Sequence, residues 1–357
     1  MIKLLADGSL PNLDGFFGAP FQITRYHSQQ ELHPLLFEHE ILLCRSTLRV
    51  DAELLTHTRV RCVATASSGT DHIDGVYLKQ HDIALLDAKG ANARAVADYV
   101  ITCVAQLQQQ HKIPGMRAGV VGMGAVGTLV AARLRAVGFD VMCYDPLRAA
   151  EDASFQTCDF QALYHCNVIS LHPNLHENAP YPSRHIIDAD FLTHLQPHTV
   201  IMNASRGHVV DERALLTHGK HVVYCTDVYV GEPAIHPDVL AYATLCTPHI
   251  AGHSVEARHH ALALLSQKIH LLYGLPGPEL QKKSDHKIRS LDNVSGWQNA
   301  VLSLYDPEKD TQALKQAVDV SRQFLELRQS HHRHDFICYE CQAIDNQLQC
   351  ALGHLDE

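Results

Sequence analysis

Short apolar runs alternate with polar, helix-forming stretches along the first 92 residues. Ile2-Lys-Leu-Leu5, Ile41-Leu-Leu-Cys44, Val60-Arg-Cys-Val-Ala64 and Ile83-Ala-Leu-Leu86 have the length and composition of strands. Between them, Ser28 to Glu38 and Ala52 to His57 predict helices. This βα alternation predicts a parallel sheet. Ala93 to Gln110 follows as a long, apolar-rich helix, and a second α/β unit starts at Ala118-Gly-Val-Val-Gly122. Its further strands are Val141-Met-Cys-Tyr144, Val168-Ile-Ser-Leu171, Val200-Ile-Met202, Val222-Val-Tyr-Cys225 and Ala243-Thr-Leu-Cys246. Ser254 to Tyr273 is helical again, and Gly274-Leu-Pro-Gly-Pro278 breaks it. Residues 279 to 357 are more polar, hold the only tryptophan, Trp297, and contain one amphipathic helix from Asp310 to Arg328. They predict a separate small α+β appendage.

The loop after Ala118-Gly-Val-Val carries the spacing G-x-G-x-x-G as Gly122, Gly124 and Gly127. Alone, that spacing is weak evidence. Here a β-branched strand precedes it and a helix from Ala125 to Val137 follows, closed by Gly138 as a C-terminal cap. The next strand ends at Tyr144-Asp145-Pro146, about 20 residues on, as the dinucleotide fingerprint requires. Glycines let the backbone approach a pyrophosphate, and the helix N-terminus supplies free N–H groups and positive dipole. Asp145 suits a ribose diol and repels a 2′-phosphate, so NAD is expected over NADP; Arg148 nearby weakens that preference slightly.

Three of the later strands each lead into a segment rich in chemistry: Asn203-Ala-Ser-Arg-Gly-His-Val-Val-Asp211, Asp227-Val-Tyr-Val-Gly-Glu-Pro233 and Thr247-Pro-His-Ile-Ala-Gly252. An arginine, a glutamate and a histidine are thus presented beyond the C-terminal ends of strands, the edge where open parallel sheets bind ligands. The planar fork of Arg206 suits a substrate carboxylate and can polarise an adjacent C–O bond. A buried carboxylate at Glu232 beside His249 would fix the tautomer of the imidazole and favour its protonated form, as proton transfer near neutral pH needs. Each residue alone could serve in a structural ion pair or a core contact. All three at consecutive strand ends, downstream of a nucleotide loop, point to catalysis.

Taken in order, G-x-G-x-x-G, N-A-S-R-G-x-x-V-D, D-V-x-x-x-E-P and H-I-A-G make the chain resemble the D-isomer-specific 2-hydroxyacid dehydrogenases along its whole length. Four features make it similar to the branch that oxidises 4-phospho-D-erythronate in vitamin B6 biosynthesis. They are Arg45-Ser-Thr47, Thr65-Ala-Ser-Ser-Gly-Thr-Asp-His72, Gly90-Ala-Asn-Ala93 and the C-terminal appendage. The resemblance implies an α/β chain of two doubly wound parallel-sheet, Rossmann-like domains and a small C-terminal α+β dimerisation domain. Residues 1–92 plus about 255–279 would form the substrate domain, 93–254 the NAD-binding domain and 280–357 the dimerisation domain of a homodimer. It also implies Arg206, Glu232 and His249 as catalytic residues, and Ser46, Ser67, Arg45 and His253 at a small phosphorylated hydroxy acid. Ala204, Ser205, Arg206, Asp227 and Gly252 would join the glycine loop and Asp145 at the cofactor. The chain departs from the family where His172-Pro173-Asn174 replaces the frequent His-Thr-Pro, where His253 replaces a tyrosine, and where Ser67 replaces a threonine but keeps the hydroxyl.

Composition narrows the remaining classes. A formal charge of −10 argues against general nucleic-acid binding, which needs a broad basic footprint. No run of about 18 apolar residues is present, so no membrane span is expected. Met1-Ile-Lys-Leu-Leu-Ala-Asp7 reads as a first strand rather than a signal peptide, which makes the cytoplasm the default expectation. Eleven scattered cysteines fit free thiols in a reducing compartment. Cys338-Tyr-Glu-Cys341 beside His331-His-Arg-His334 could be half of a zinc site, but no second C-x-x-C follows. Phe336 to Cys341 alternates as a packed strand does, and no metal is expected. Two rival readings stay open. A broader D-2-hydroxyacid dehydrogenase is disfavoured by the appendage and by Ser46 and Ser67. A non-catalytic NAD sensor of corepressor type finds no sign of a transcription partner in the chain.

Overall fold

The computed structural model describes residues 1–278, 289–291, 294–341 and 346–354. They fall into two compact units, Met1–Asn92 with Ser254–Lys287 and Ala93–His253 with Ile288–Glu357. The fold is α/β, built on two parallel sheets of Rossmann type.

In the first unit, β1 (Ile2–Asp7), β2 (Phe21–Tyr26), β3 (Ile41–Cys44), β4 (Cys62–Thr65) and β5 (Ala84–Asp87) form a sheet in the order β2-β1-β3-β4-β5. The central strands β3 and β4 are buried at every position, because helices cover both faces of a parallel sheet. One core includes Leu4, Phe17, Ile41, Ala64 and Leu265, with the last residue supplied by the returning helix Val255–Leu272. The other includes Leu5, Leu36, Leu42 and Val63. The edge strand β2 is absent from the sequence reading, since its polar Gln22, Thr24 and Arg25 interrupt any apolar run. Helix Gly75–Gln80 is absent too, because Leu78 is its one buried residue and no periodicity can register.

In the second unit, β6 (Arg117–Val121), β7 (Asp140–Tyr144), β8 (Val168–Leu171), β9 (Val200–Asn203), β10 (Val223–Thr226) and β11 (Leu245–Cys246) order as β11-β10-β9-β8-β6-β7. The chain leaves β6 for β7 on one side and comes back to β8 on the other, so the topological switch lies beside β6. A short parallel pair, β12 (Arg289–Leu291) with β13 (Tyr339–Cys341), belongs to the C-terminal segment.

The sequence reading sets the appendage apart from residue 280; that boundary itself lies outside the described residues. The described part of the segment shares a core with the second unit. Trp297, Ala300, Phe336, Leu348 and Leu352 pack in one cluster with Val100, Val104 and Leu134. The predicted helix from Asp310 to Arg328 is two helices, Pro307–Lys315 and Val320–Ser330. Val318 between them is fully exposed, and Asp319 opens the second by accepting from Arg322 N. The predicted strand from Phe336 is a single 3-10 turn, Phe336–Cys338, before β13 begins. Among the described residues, no helix is long and apolar enough to cross a membrane, and no group of three or more His, Cys, Asp or Glu could hold a metal ion.

Candidate active site

Register puts the chemistry of the second unit on one line. Tyr144 pairs with Val121, Val121 with Leu171, Leu171 with Asn203, Asn203 with Thr226 and Thr226 with Cys246. One residue past that row stand Asp145, Gly122, His172, Ala204, Asp227 and Thr247. The glycine loop, the acidic residue after β7 and the three segments that carry Arg206, Glu232 and His249 therefore leave the sheet at the same carboxyl edge.

The glycine loop is shaped by close approach. Gly122 has φ +85°, and a Cβ there would lie 2.6 Å from Pro173 N. A Cβ on Gly127 would stand 1.9 Å from the Gly122 carbonyl oxygen, so only glycine lets helix Ala125–Ala136 meet the strand. Gly124 caps that helix, and a Cβ there would meet nothing within 4 Å. Open space over the amide end of a helix suits a pyrophosphate. Asp145 Oδ2 accepts from Met123 N at 2.7 Å and Oδ1 from Arg148 N at 2.9 Å. Each oxygen keeps a lone pair for a ribose hydroxyl. Arg148 is tied back to the loop, donating from Nη1 to Met123 O at 2.8 Å, with its guanidinium 4.6 Å from the Phe155 ring centroid. The residues present fit a dinucleotide.

Asn203 builds the turn after β9. Its Oδ1 accepts from Ser205 N at 3.1 Å and Ser205 Oγ at 2.8 Å, and its Nδ2 donates to Arg206 O at 2.9 Å. Gly207 follows because a Cβ would come 2.2 Å from the Tyr229 carbonyl carbon. Arg206 is half-buried, with Nη1 donating to Ser205 O at 2.8 Å.

Glu232 and His249 form a pair, Nδ1 to Oε2 at 2.7 Å. The second carboxylate oxygen accepts from Tyr229 N at 2.8 Å. Burial pushes the Glu232 carboxyl up, but the hydrogen bond and charge of His249 and the Tyr229 amide outweigh it and hold the carboxyl below its ordinary value. An ionised carboxylate can only accept, so the imidazole carries its proton on Nδ1 and offers Nε2 for exchange. His249 has φ +56°, a left-handed conformation that residues other than glycine seldom take.

Asp227 holds that turn. It is buried, and its carboxylate accepts from Thr247 Oγ1 at 2.7 Å, Ile250 N at 2.8 Å and Ala251 N at 2.8 Å. Burial pushes its carboxyl up to about 6, against the charge of His249 and these donors. Thr247 Oγ1 is also 2.8 Å from Tyr99 OH. Gly252 and His253 close the turn, with His253 N donating to Ile250 O at 2.8 Å. Asn203, Tyr229, Tyr99 and Thr247 are supports that the sequence does not announce, since their roles lie in side-chain hydrogen bonds, to backbone for Asn203 and Tyr229 and to side chains for Tyr99 and Thr247, that leave no periodic signal.

In the first unit, Arg45 and Ser46 follow β3 and Ser67 follows β4. Ser46 N donates to Ser67 Oγ at 3.1 Å, which joins two of the predicted substrate residues. Arg45 Nε lies 3.2 Å from Asp7 Oδ2, at the end of β1. Ser68 Oγ donates to Asn92 Oδ1 at 2.7 Å, linking the Thr65–His72 segment to Gly90-Ala-Asn-Ala93.

Residues 92–251 match the family model described as D-isomer specific 2-hydroxyacid dehydrogenase, NAD binding domain, and this stretch is an NAD-binding domain of that family. The chain is 48% identical over 339 residues to erythronate-4-phosphate dehydrogenase of Legionella pneumophila (strain Lens), covering 95% of this chain and 96% of that one. It is 34% identical over 337 residues to erythronate-4-phosphate dehydrogenase of Coxiella burnetii (strain RSA 331 / Henzerling II), with 93% and 92% covered. The chain belongs to the erythronate-4-phosphate dehydrogenase family. Among solved structures, an NAD-dependent formate dehydrogenase from Staphylococcus aureus in complex with NAD shares the fold at TM-score 0.63 and 18% identity, covering 78% of this chain and 98% of that one. A D-lactate dehydrogenase from Aquifex aeolicus, complexed with NAD and lactic acid, does so at TM-score 0.61 and 19% identity, covering 79% and 100%.

Proposed function

We propose that this chain oxidises 4-phospho-D-erythronate at C2 to 3-hydroxy-2-oxo-4-phosphooxybutanoate, in pyridoxal 5′-phosphate (vitamin B6) biosynthesis. The observation that carries the reading is the His249–Glu232 pair, held at 2.7 Å on the sheet edge that also bears the glycine loop. NAD, when bound, accepts the hydride from C2. His249 Nε2 removes the C2 hydroxyl proton, and the Glu232 carboxylate balances the imidazolium that forms. Arg206 takes the substrate carboxylate in its planar fork and draws electron density from the adjacent C–O bond. Ser46, Ser67, Arg45 and His253 are the substrate's further contacts. Ala204, Ser205, Asp227 and Gly252 serve the cofactor, Asp227 by fixing the backbone of the turn. The relatives' shared name supports the phosphorylated substrate. Purified protein should form NADH from 4-phospho-D-erythronate; turnover of D-lactate or glycerate with none of the phosphorylated acid would overturn the assignment.

Asp145 sets the choice of dinucleotide in this reading. Asp145→Asn keeps the side chain's shape and one of its two acceptor oxygens, turns an amide NH2 toward the other backbone N–H, and removes the charge that would face a 2′-phosphate. It is expected to narrow the NAD-over-NADP ratio of kcat/KM by about tenfold, the equivalent of ~1.4 kcal/mol. An unchanged ratio would assign the preference elsewhere.

The protein acts in the cytoplasm as a homodimer in this proposal, through the C-terminal segment. The test of assembly uses the full chain, because that segment shares its core with the NAD-binding domain. A monomeric mass by light scattering would remove the dimer.

A further inference from the structure

His331-His-Arg-His334 takes no part in the proposed reaction, yet Arg333 within it reaches the turn that carries His249. Arg333 is 6% exposed. Its Nη2 donates to Ala251 O at 2.8 Å and to Ala95 O at 2.9 Å. Its guanidinium lies 5.2 Å from the centroid of the Tyr305 ring. Burying a guanidinium is costly, and an apolar side chain could fill the same volume without that cost. What the arginine adds is directed, charge-assisted donation to two particular carbonyls, the shorter bond going to Ala251 O. That carbonyl belongs to the residue two places after His249 and one before Gly252. Asp227 grips the N–H of the same residue at 2.8 Å, so Ala251 is held on both of its backbone polar groups. The turn needs such support, because His249 sits in a left-handed conformation that a non-glycine residue keeps only when its surroundings enforce it.

We infer that Arg333 is a positioning residue for His249, and that the C-terminal segment thereby sets the geometry of proton transfer as well as packing on the NAD-binding domain. The inference rests on His249 as the proton-transfer group. Losing the bond frees the Ala251 carbonyl and lets the imidazole drift from Glu232 and the substrate hydroxyl. Small misplacements of a reacting group cost rate far more than they cost binding.

The test compares Arg333→Gln, Arg333→Lys and Leu348→Ala in the full chain. Leu348 is buried in the same domain but bonds to nothing in the turn, so its variant reports simple loss of packing. At saturating substrates, Arg333→Gln is expected to lower kcat per folded molecule by about tenfold, with KM for NAD changed by less than about twofold. Arg333→Lys keeps the charge and a single ammonium donor, and should recover part of that loss; it keeps the comparison readable if the glutamine variant does not fold. Amide hydrogen exchange across residues 247–253 should quicken about tenfold in Arg333→Gln, while β8 stays protected as in the parent. Leu348→Ala should do neither. Full kcat and unchanged exchange in either arginine variant would overturn the inference. A parent protein that forms no NADH would overturn the reaction instead, and the exchange measurement would still decide whether Arg333 holds the turn.

Discussion

Replacing His249 by glutamine is expected to cut kcat by roughly 10²- to 10⁴-fold, the range that positioned general acid–base catalysis contributes. Glutamine can still bond to the Glu232 carboxylate, so the pair's geometry survives. It has no basic nitrogen where Nε2 stood, so the hydroxyl proton has no acceptor when hydride leaves. NAD affinity should stay within about twofold, because the function proposed above gives the pyrophosphate and ribose to the glycine loop and Asp145 rather than to His249. Glu232→Gln should cost less, about tenfold to a hundredfold, since its one amide oxygen can still accept from His249 Nδ1–H, although the acceptor for the Tyr229 amide and the charge that balances the imidazolium are lost. Steady-state kinetics with NADH absorbance measure both. More than about a tenth of parental kcat in His249→Gln lies outside the range given for this chemistry and would move the proton to another group.

The site's layout follows from a simple property of parallel sheets. All six strands of the NAD-binding domain end level, so a residue just past each end lands on one edge whatever its distance along the chain. Asp145 and Asp227 are 82 residues apart in sequence, yet each directly follows a strand residue of the same cross-sheet row. That edge collects the amide end of helix Ala125–Ala136, the guanidinium of Arg206 and the His249–Glu232 pair, which together can bind two anions and move one proton.

Much of this was legible in the sequence because parallel strands are buried on both faces and so read as unbroken apolar runs. Val168–Leu171 and Val200–Asn203 are buried at every position and were readable within a residue at each end. Gly122, Gly124 and Gly127 were readable from their fixed spacing, in which Gly122 and Gly127 answer a close approach of backbone and Gly124 leaves open space at the helix cap. Elements with a half-exposed or interrupted pattern were not. Phe21–Tyr26 is an edge strand with polar residues at three of its six positions. The break at Gln316–Asp319 carries neither glycine nor proline, and its one local sign is the capping aspartate Asp319. In the candidate site, Arg206, Glu232 and His249 stood out by residue type, whereas the side chains bonded around them did not. Arg333 reaches Ala251 across 82 residues of sequence, and only tertiary packing brings them together.

Asp98→Asn is expected to destabilise the NAD-binding domain by about 3–5 kcal/mol, the cost of removing one partner from a buried ion pair. Asp98 is 0% exposed and Arg133 2%, and the two are joined by a charge-assisted hydrogen bond. Asp98 Oδ2 also accepts from Phe336 N at 2.8 Å. The carboxylate therefore fastens helix Ala93–Gln109 to helix Ala125–Ala136 and to the start of the C-terminal 3-10 turn. Asparagine has nearly the same shape and its one oxygen can keep the bond to Phe336 N, but its NH2 then faces Arg133, so the change removes both the charge and the acceptor on that side. It leaves the Arg133 guanidinium in a dry core without the carboxylate closest to it. The melting temperature should fall on the order of 10 °C for a domain of this size. The double change Asp98→Leu with Arg133→Met is expected to recover most of the loss, because it removes the second charge along with the first. Denaturant unfolding of the two variants measures both effects. A single variant within about 0.5 kcal/mol of the parent would show that the pair is solvated or balanced elsewhere. A double variant as unstable as the single one would show that the acceptor for Phe336 N, which leucine also removes, or the shape of the pair matters more to this core than its charge. Helix Ala125–Ala136 carries the glycine loop at its amino end, so Asp98→Asn should also weaken NAD binding from a distance, and saturating NAD should restore part of the lost stability.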